Sequence, residues 1–234
     1  MLHDRRILVV VPARGGSKGI KLKNIRTING IPIIALTGKL IQELSFVDRA
    51  IVSTDHPEIA RIAKDTGLDV PFYRPEHLSA DLIADWEVLY HATSAIEEID
   101  KKTYDVIIML QPTCPFRKAE HVKKTVEKLI MGNYDAVWTV SETDTKFHPL
   151  KQLVFENDKL GYYDQSGAQI IGRQQLTPLY HVNGVAYAIT RDCIMNKKSK
   201  KGKETSAVII DEPMVNIDTE FDFKLAEFII EQNF

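Results

Sequence analysis

The sequence predicts an α/β fold: a doubly wound, mostly parallel sheet that carries a small inserted hairpin element. Three observations carry this reading. Apolar runs rich in β-branched residues and too short to be helices recur at Ile7–Val11, Arg49–Ser53, Asp105–Leu110 and Ala136–Val140. Segments with apolar residues at helical spacing separate them. A turn holding Gly15, Gly16 and Gly19 follows the first run, at the kind of place where open α/β sheets bind ligands.

Each element has its own signal. The run Ile7–Val11 is apolar throughout, the mark of a strand covered on both faces. Ile31–Leu44 has Pro32 near its start and apolar residues at Ile33, Leu36, Leu40, Ile41 and Leu44, which predicts a helix. After the strand Arg49–Ser53, a short helix from Pro57 to about Thr66 is closed by Gly67, a natural residue for a helix end. Val70–Tyr73 reads as a third short strand, and Asp81–Glu98 as an amphipathic helix with Trp86, Leu89, Ala92 and Ile96. Asp105–Leu110 is the fourth strand, Ala119–Met131 a helix, and Ala136–Val140 the fifth strand. Beyond Ser141 the rhythm changes. Gln152–Glu156 and Leu160–Asp164 flank Asn157-Asp158, the pattern of a hairpin. Strands at Gly184–Thr190 and Ala207–Ile210 follow, and Thr219–Ile230 closes the chain as a helix capped by Asp218 or Thr219.

The chain suits a single domain over residues 1–234, with 145–182 as the insertion. Thirty Lys+Arg against 32 Asp+Glu leave a net charge of −2, which argues against a nucleic-acid binder. The basic run Lys197–Lys203 lacks interleaved aromatic residues and reads as a solvated loop. Cys114 and Cys193 form neither a disulfide framework nor a zinc pattern. The first apolar run is too short for a signal segment or a membrane span, so a cytoplasmic protein is expected.

The glycine turn gathers Arg14, Lys18, Lys21 and Lys23 before Asn24. Glycines let backbone N–H groups approach an anion closely, and the cations face its oxygens. Residues that follow the other strands would join them: Thr54-Asp55, Arg74, and Gln111–Arg117. Such a cationic site suits a polyanion such as a nucleoside triphosphate. The chain has no G-x-x-x-x-G-K-[ST], no G-x-G-x-x-G and no G-x-S-x-G, which sets aside P-loop, dinucleotide and nucleophile-elbow chemistry. Asp218 and Asp222 bracket the start of the last helix. Either they favour its N-terminus or they hold Mg2+, and spacing alone leaves both open.

Pro12-Ala13-Arg14-Gly15-Gly16-Ser17-Lys18-Gly19-Ile20 with Lys23-Asn24 resembles the nucleotide-binding signature of acylneuraminate cytidylyltransferases. The likeness continues in order through Val52-Ser53-Thr54-Asp55, Tyr73-Arg74-Pro75, Leu110-Gln111-Pro112-Thr113, His148-Pro149-Leu150-Lys151, Arg173-Gln174-Gln175-Leu176, Asn183-Gly184 and Ile217-Asp218-Thr219-Glu220. The resemblance implies a nucleotidyltransferase, Rossmann-like in fold, that uses CTP and a nonulosonic acid to make a CMP-sugar and pyrophosphate. The implied ion is Mg2+, with Mn2+ as the alternative.

It further implies Arg14, Lys23 and Asp218 as catalytic residues. Ala13, Gly15, Ser17, Lys18, Lys21, Asn24 and Arg74 would join Arg14 at the nucleotide, and Asp218 with Asn216 would hold the metal. Gln111 would contact the sugar, while Lys151 and Arg173, reaching from the partner subunit of a homodimer, would act on the sugar carboxylate or the triphosphate. The chain departs from the family pattern at four places. Asn216 stands where many members have an Asp, Lys21 where Pro is frequent, and Cys114 where Ser is usual. His181-Val182 also replaces an Arg that some members carry. Departures near the sugar leave legionaminic or pseudaminic acid open, a GDP-sugar as an alternative product, and a catalytically idle regulator as a further reading.

Overall fold

The computed structural model describes residues 1–16 and 19–232. The chain runs β1 (Ile7–Pro12), β2 (Thr27–Ile28), β3 (Ile31–Pro32), α1 (Ile33–Gln42), β4 (Arg49–Ser53), α2 (Pro57–Asp65), α3 (Asp85–Asp100), β5 (Val106–Met109), α4 (Ala119–Met131), β6 (Ala136–Glu142), β7 (Leu153–Glu156), β8 (Lys159–Tyr162), β9 (Tyr180–Thr190), α5 (Arg191–Met195), β10 (Thr205–Ile209) and α6 (Glu220–Glu231). Six strands form the main sheet in the order β10-β6-β9-β5-β1-β4. β1 pairs in parallel with β4 and β5, and β6 with β10, while β9 runs antiparallel between β5 and β6.

Alternate residues of β1 show why its sequence is apolar throughout. Ile7, Val9 and Val11 enter a core with Ile34 of α1, Ile59 of α2 and Val122 of α4. Leu8 and Val10 enter a second core with Leu89 and Ile96 of α3 and Ile194 of α5. A strand covered on both faces cannot alternate apolar and polar residues. Full burial of each such side chain stabilises the fold by about 1.5–3 kcal/mol.

A third, smaller cluster matters most for function. Ile20 and Ile28, after the glycine turn, pack with Ile33, Val215, Ile217, Phe223 and Ala226. It joins the turn after β1 to the entrance of α6, two segments far apart in sequence.

Several elements differ from the sequence reading. Residues 27–32 form the short β2–β3 ladder, so α1 starts at Ile33 and not at Ile31, and α3 starts at Asp85 and not at Asp81. Val70–Tyr73 is not a strand; this stretch makes only isolated parallel bridges, Ile51 to Asp69 and Thr54 to Tyr73, along the edge of β4. β9 extends back to Tyr180, and its pairing with β6 shifts register between Trp138 and Val140, where Gly184 has a φ of +77°. That conformation suits glycine, and the resulting bulge bends the strand beside the carboxyl end of β5. The five-residue α5, capped by Thr190, carries too little periodicity to read from sequence. Residues 197–203 are tied down as well: Lys200 pairs with Asp85 and lies over the rings of Trp138 and Tyr187.

The inserted hairpin forms as expected. β7 and β8 pair antiparallel across Asn157-Asp158, both with positive φ, as a two-residue hairpin turn requires. Among the described residues, no helix is long and apolar enough to cross a membrane.

Candidate active site

The carboxyl ends of β1 and β5 open onto a cleft of about 260 Å3 lined by Arg14, Lys23, Asn24, Arg74, Asp81, Asp85 and Thr113, among others. The turn after β1 enters it under close control. Ala13 is buried and its N–H donates to the Ser53 carbonyl at 3.0 Å. The Gly15 N–H donates to Asp55 Oδ1 at 2.8 Å, and a Cβ on Gly15 would lie 2.8 Å from the His56 ring. Asn24 is buried and donates through Nδ2 to the Arg14 carbonyl at 3.0 Å, so the amide closes the turn rather than facing solvent. Arg14 is half-buried. Its Nη1 donates to the Ser79 carbonyl at 3.3 Å, and its Nη2 lies 2.9 Å from Asp81 Oδ1. Lys21 is exposed, and Ser17 and Lys18 lie outside the described residues.

Lys23 is the link between the two halves of the chain. Its ammonium donates to the Ile217 carbonyl at 2.8 Å and to Asp218 Oδ1 at 2.8 Å, across a separation of 195 residues. The third apolar cluster explains the meeting, since Ile20, Ile28 and Ile217 pack directly behind it. The approach is tight: a Cβ on Gly19 would come 2.7 Å from the Asp218 carbonyl oxygen. Nearby, Arg26 makes a two-pronged pair with Glu220 at 2.8 and 3.1 Å.

The structure separates the two aspartates that spacing could not. Asp222 is the capping residue: its Oδ2 accepts from the N–H groups of Asp218 and Thr219 at 2.9 and 2.7 Å. Thr219 Oγ1 in turn accepts from the Asp222 N–H at 3.3 Å, completing a capping box. The Asp218 carboxylate takes no part in the cap. It points to Lys23, and its side chain is 65% exposed.

Arg74 and Arg117 are placed beneath the site rather than across it. Arg74 donates through Nε to Ser53 Oγ at 3.0 Å and through Nη2 to the Ser53 carbonyl. Burial pushes its pKa down to about 10, with the Asp55 carboxylate opposing, so it stays charged at neutral pH. Gln111 is half-buried near Gly184: a Cβ there would lie 3.8 Å from Gln111 Oε1 and 3.5 Å from Asn216 Oδ1. Lys151 and Arg173 are exposed on short turns of the insertion and do not line this subunit's cleft.

Ser79, Asp81 and Asp85 escaped the sequence reading. Ser79 and Asp81 lie between Arg74 and α3, and Asp85 is the first residue of that helix; no motif marks them, and the helical spacing from Asp81 takes the two aspartates only as part of a helix.

The donor set beside Lys23 suits a hard divalent cation. Asp218 offers an exposed carboxylate. Asn216 offers an amide whose nitrogen is 3.3 Å from Asp218 Oδ2, and the absence of a side chain at Gly184 leaves its oxygen room. In the grouping Glu120, His121 and Glu212, the histidine and Glu212 already hold partners on the chain. His121 Nδ1 accepts from the Lys118 N–H at 3.3 Å, and Glu212 pairs with Lys118 at 3.1 Å and with His121 at 3.4 Å.

An open α/β sheet with cations, an aspartate and an amide gathered beyond its carboxyl edge fits a nucleotidyltransferase. The sequence model of the cytidylyltransferase family matches residues 8–231, and the chain belongs to that family. It is 33% identical over 227 residues to post-translational flagellin modification protein B of Campylobacter coli, covering 97% of this chain and 95% of the relative. It is 32% identical over 226 residues to CMP-N,N'-diacetyllegionaminic acid synthase of Campylobacter jejuni, covering 96% and 94%. In fold it resembles the solved CMP:2-keto-3-deoxy-manno-octonic acid synthetase complexed with CTP, with a TM-score of 0.70, 17% identity and coverage of 98% and 100%.

Proposed function

We propose that the chain transfers CMP from CTP to the anomeric hydroxyl of a nonulosonic acid, releasing pyrophosphate. The observation that carries this reading is the meeting of Lys23 with Asp218 at 2.8 Å at the mouth of the cleft. One group matches a triphosphate oxygen and the other a divalent cation. Family membership supports CTP as the nucleotide.

Arg14 and Lys23 neutralise the charge that builds on the α-phosphoryl group and the departing pyrophosphate. The hydrogen bonds from Asn24 to the Arg14 backbone and from Gly15 to Asp55 hold the turn ready, so little reorganisation is needed on binding. Asp218 and Asn216 would hold Mg2+ or Mn2+, which when bound supplies further charge neutralisation at the phosphates. Gln111 orients the sugar from the β5 side. The sugar hydroxyl attacks phosphorus in line, and no covalent enzyme intermediate is required.

The insertion supports a homodimer. Phe155 and Leu160 face each other across the β7–β8 hairpin and are 67% and 65% exposed, and Phe147 and Tyr163 of the insertion are exposed as well. An apolar surface of this kind suits a second copy. Docked, it would carry Lys151 and Arg173 toward the partner's cleft and the sugar carboxylate. Changing both Phe155 and Leu160 to lysine is expected to yield a folded monomer by sedimentation, with turnover strongly reduced. A dimer of full activity would contradict this assignment.

A legionaminic-type sugar is the second, narrower reading, favoured by the likeness to the Campylobacter jejuni synthase. Pyrophosphate release measured across CTP, GTP, UTP and ATP with sialic, legionaminic and pseudaminic acids tests both. CTP should be preferred throughout, and N,N'-diacetyllegionaminic acid should give the highest kcat/KM. Release with no nonulosonate would refute the reaction.

Asn216→Asp should lower the Mg2+ concentration needed for half-maximal turnover several-fold, because it replaces a neutral ligand with a charged one. An unchanged metal titration would remove Asn216 from the metal set.

A further inference from the structure

Arg117 is a cation with no role in the steps above. It is 6% exposed, and among the described residues no carboxylate forms an ion pair with it. Its Nε donates to the Val185 carbonyl at 2.6 Å. Its Nη2 donates to the carbonyls of Gln111 at 2.6 Å and Gly184 at 3.1 Å. Nη1 is buried without a partner. Burial holds the guanidinium below the usual arginine range.

A buried charge answered only by neutral carbonyls is a poor way to stabilise a fold, because desolvation outweighs what those acceptors return. What the arrangement does supply is geometry. The three carbonyls come from two segments, the turn after β5 and the bulge in β9, and a rigid planar fork fixes their relative position. Those segments carry Gln111 and Gly184, and Gly184 is the point where Gln111 and Asn216 come together.

We propose that Arg117 is a positioning residue for the sugar side of the site: its guanidinium ties the Gln111 turn to the Gly184 bulge and thereby sets Gln111 against Asn216. This rests on the transfer reaction proposed above. The acceptors of this tie lie outside the turn after β1, which is held by its own hydrogen bonds to Ser53 and Asp55.

Arg117→Lys keeps the charge and loses the fork. The expected result is a rise in the KM for the nonulosonate on the order of tenfold or more, while the Kd for CTP stays within about twofold of wild type. In a Gln111→Ala background the same change should add less than about twofold, because both act at one point. A purely structural role would move both substrates alike. An unchanged sugar KM in the folded variant, or equal loss of CTP affinity, overturns the proposal. So does a full multiplicative loss on top of Gln111→Ala.

Should the lysine variant not fold, Gly184→Ala reaches the tie from its acceptor side, because the φ of +77° there disfavours alanine. It should show the same split between substrates, and an unchanged sugar KM there is equally adverse. A wild type without turnover refutes the reaction instead. The tie is then read from amide hydrogen exchange at residues 111–114 and 183–185, which should be faster in Gly184→Ala, or in a folded Arg117→Lys, than in wild type. Equal exchange overturns it.

Discussion

Lys23→Met is expected to lower kcat/KM for pyrophosphate release by about 10²–10³, the loss of one preorganised charge contact to the transition state. The fold should survive. Lys23 makes one ion pair, to an aspartate whose side chain is 65% exposed, and such pairs contribute no more than about 1 kcal/mol. The catalytic loss corresponds to about 2.7–4 kcal/mol, so activity falls while thermal stability shifts by only a few degrees. Behind the ammonium, Ile20, Ile28 and Ile217 still hold the turn to the entrance of α6. Lys23→Arg keeps the charge on a broader head and should retain more activity than methionine. Stopped-assay kinetics beside a melting curve check both halves. Near-normal turnover in a folded Lys23→Met protein would remove Lys23 from the mechanism.

Asp218→Asn should come next in size, with turnover reduced by about 10² or more at ordinary Mg2+ and partly restored at high Mn2+. The α6 cap separates this effect from folding. Asp222 accepts the N–H groups of Asp218 and Thr219, and both donors are backbone groups that survive the substitution. Asp222→Ala should do the reverse. It loses the capping box at a cost of about 1 kcal/mol in stability and leaves the carboxylate facing Lys23 in place. If Asp218→Asn and Asp222→Ala were equal in activity and in stability, neither carboxylate would have a distinct role.

Much of this was legible in the sequence because apolar patterning records local burial. The α4 boundaries, the two-sided burial of β1, the Asn157-Asp158 hairpin and the Thr219 cap all follow from residues within one turn or strand. Val70–Tyr73 looked like a strand because its composition is right, but composition does not tell a paired strand from a stretch that bridges at two points. The direction of β9 was equally hidden. An apolar run says that a strand is buried, and only its partners on both sides make it antiparallel.

At the site, sequence identified the cations but not which way they face. Arg117 follows β5 and Arg74 follows the stretch bridged to the edge of β4, yet their guanidinium groups turn inward to the backbone carbonyls of Ser53, Gln111, Gly184 and Val185. Asp218 and Asp222 have the same chemistry four residues apart. Only the helix geometry assigns one to the cap and frees the other for Lys23.

The most direct test of the central claim is a single-turnover reaction of the protein with CTP labelled at the α-phosphorus, N,N'-diacetyllegionaminic acid and Mg2+, with products separated and weighed by mass spectrometry. The account predicts that the label moves into a CMP-nonulosonate with release of unlabelled pyrophosphate, and that Lys23→Met slows this step with CTP still bound. Label recovered as unreacted CTP or free CMP, with no sugar conjugate from this or any other nonulosonic acid, would contradict it.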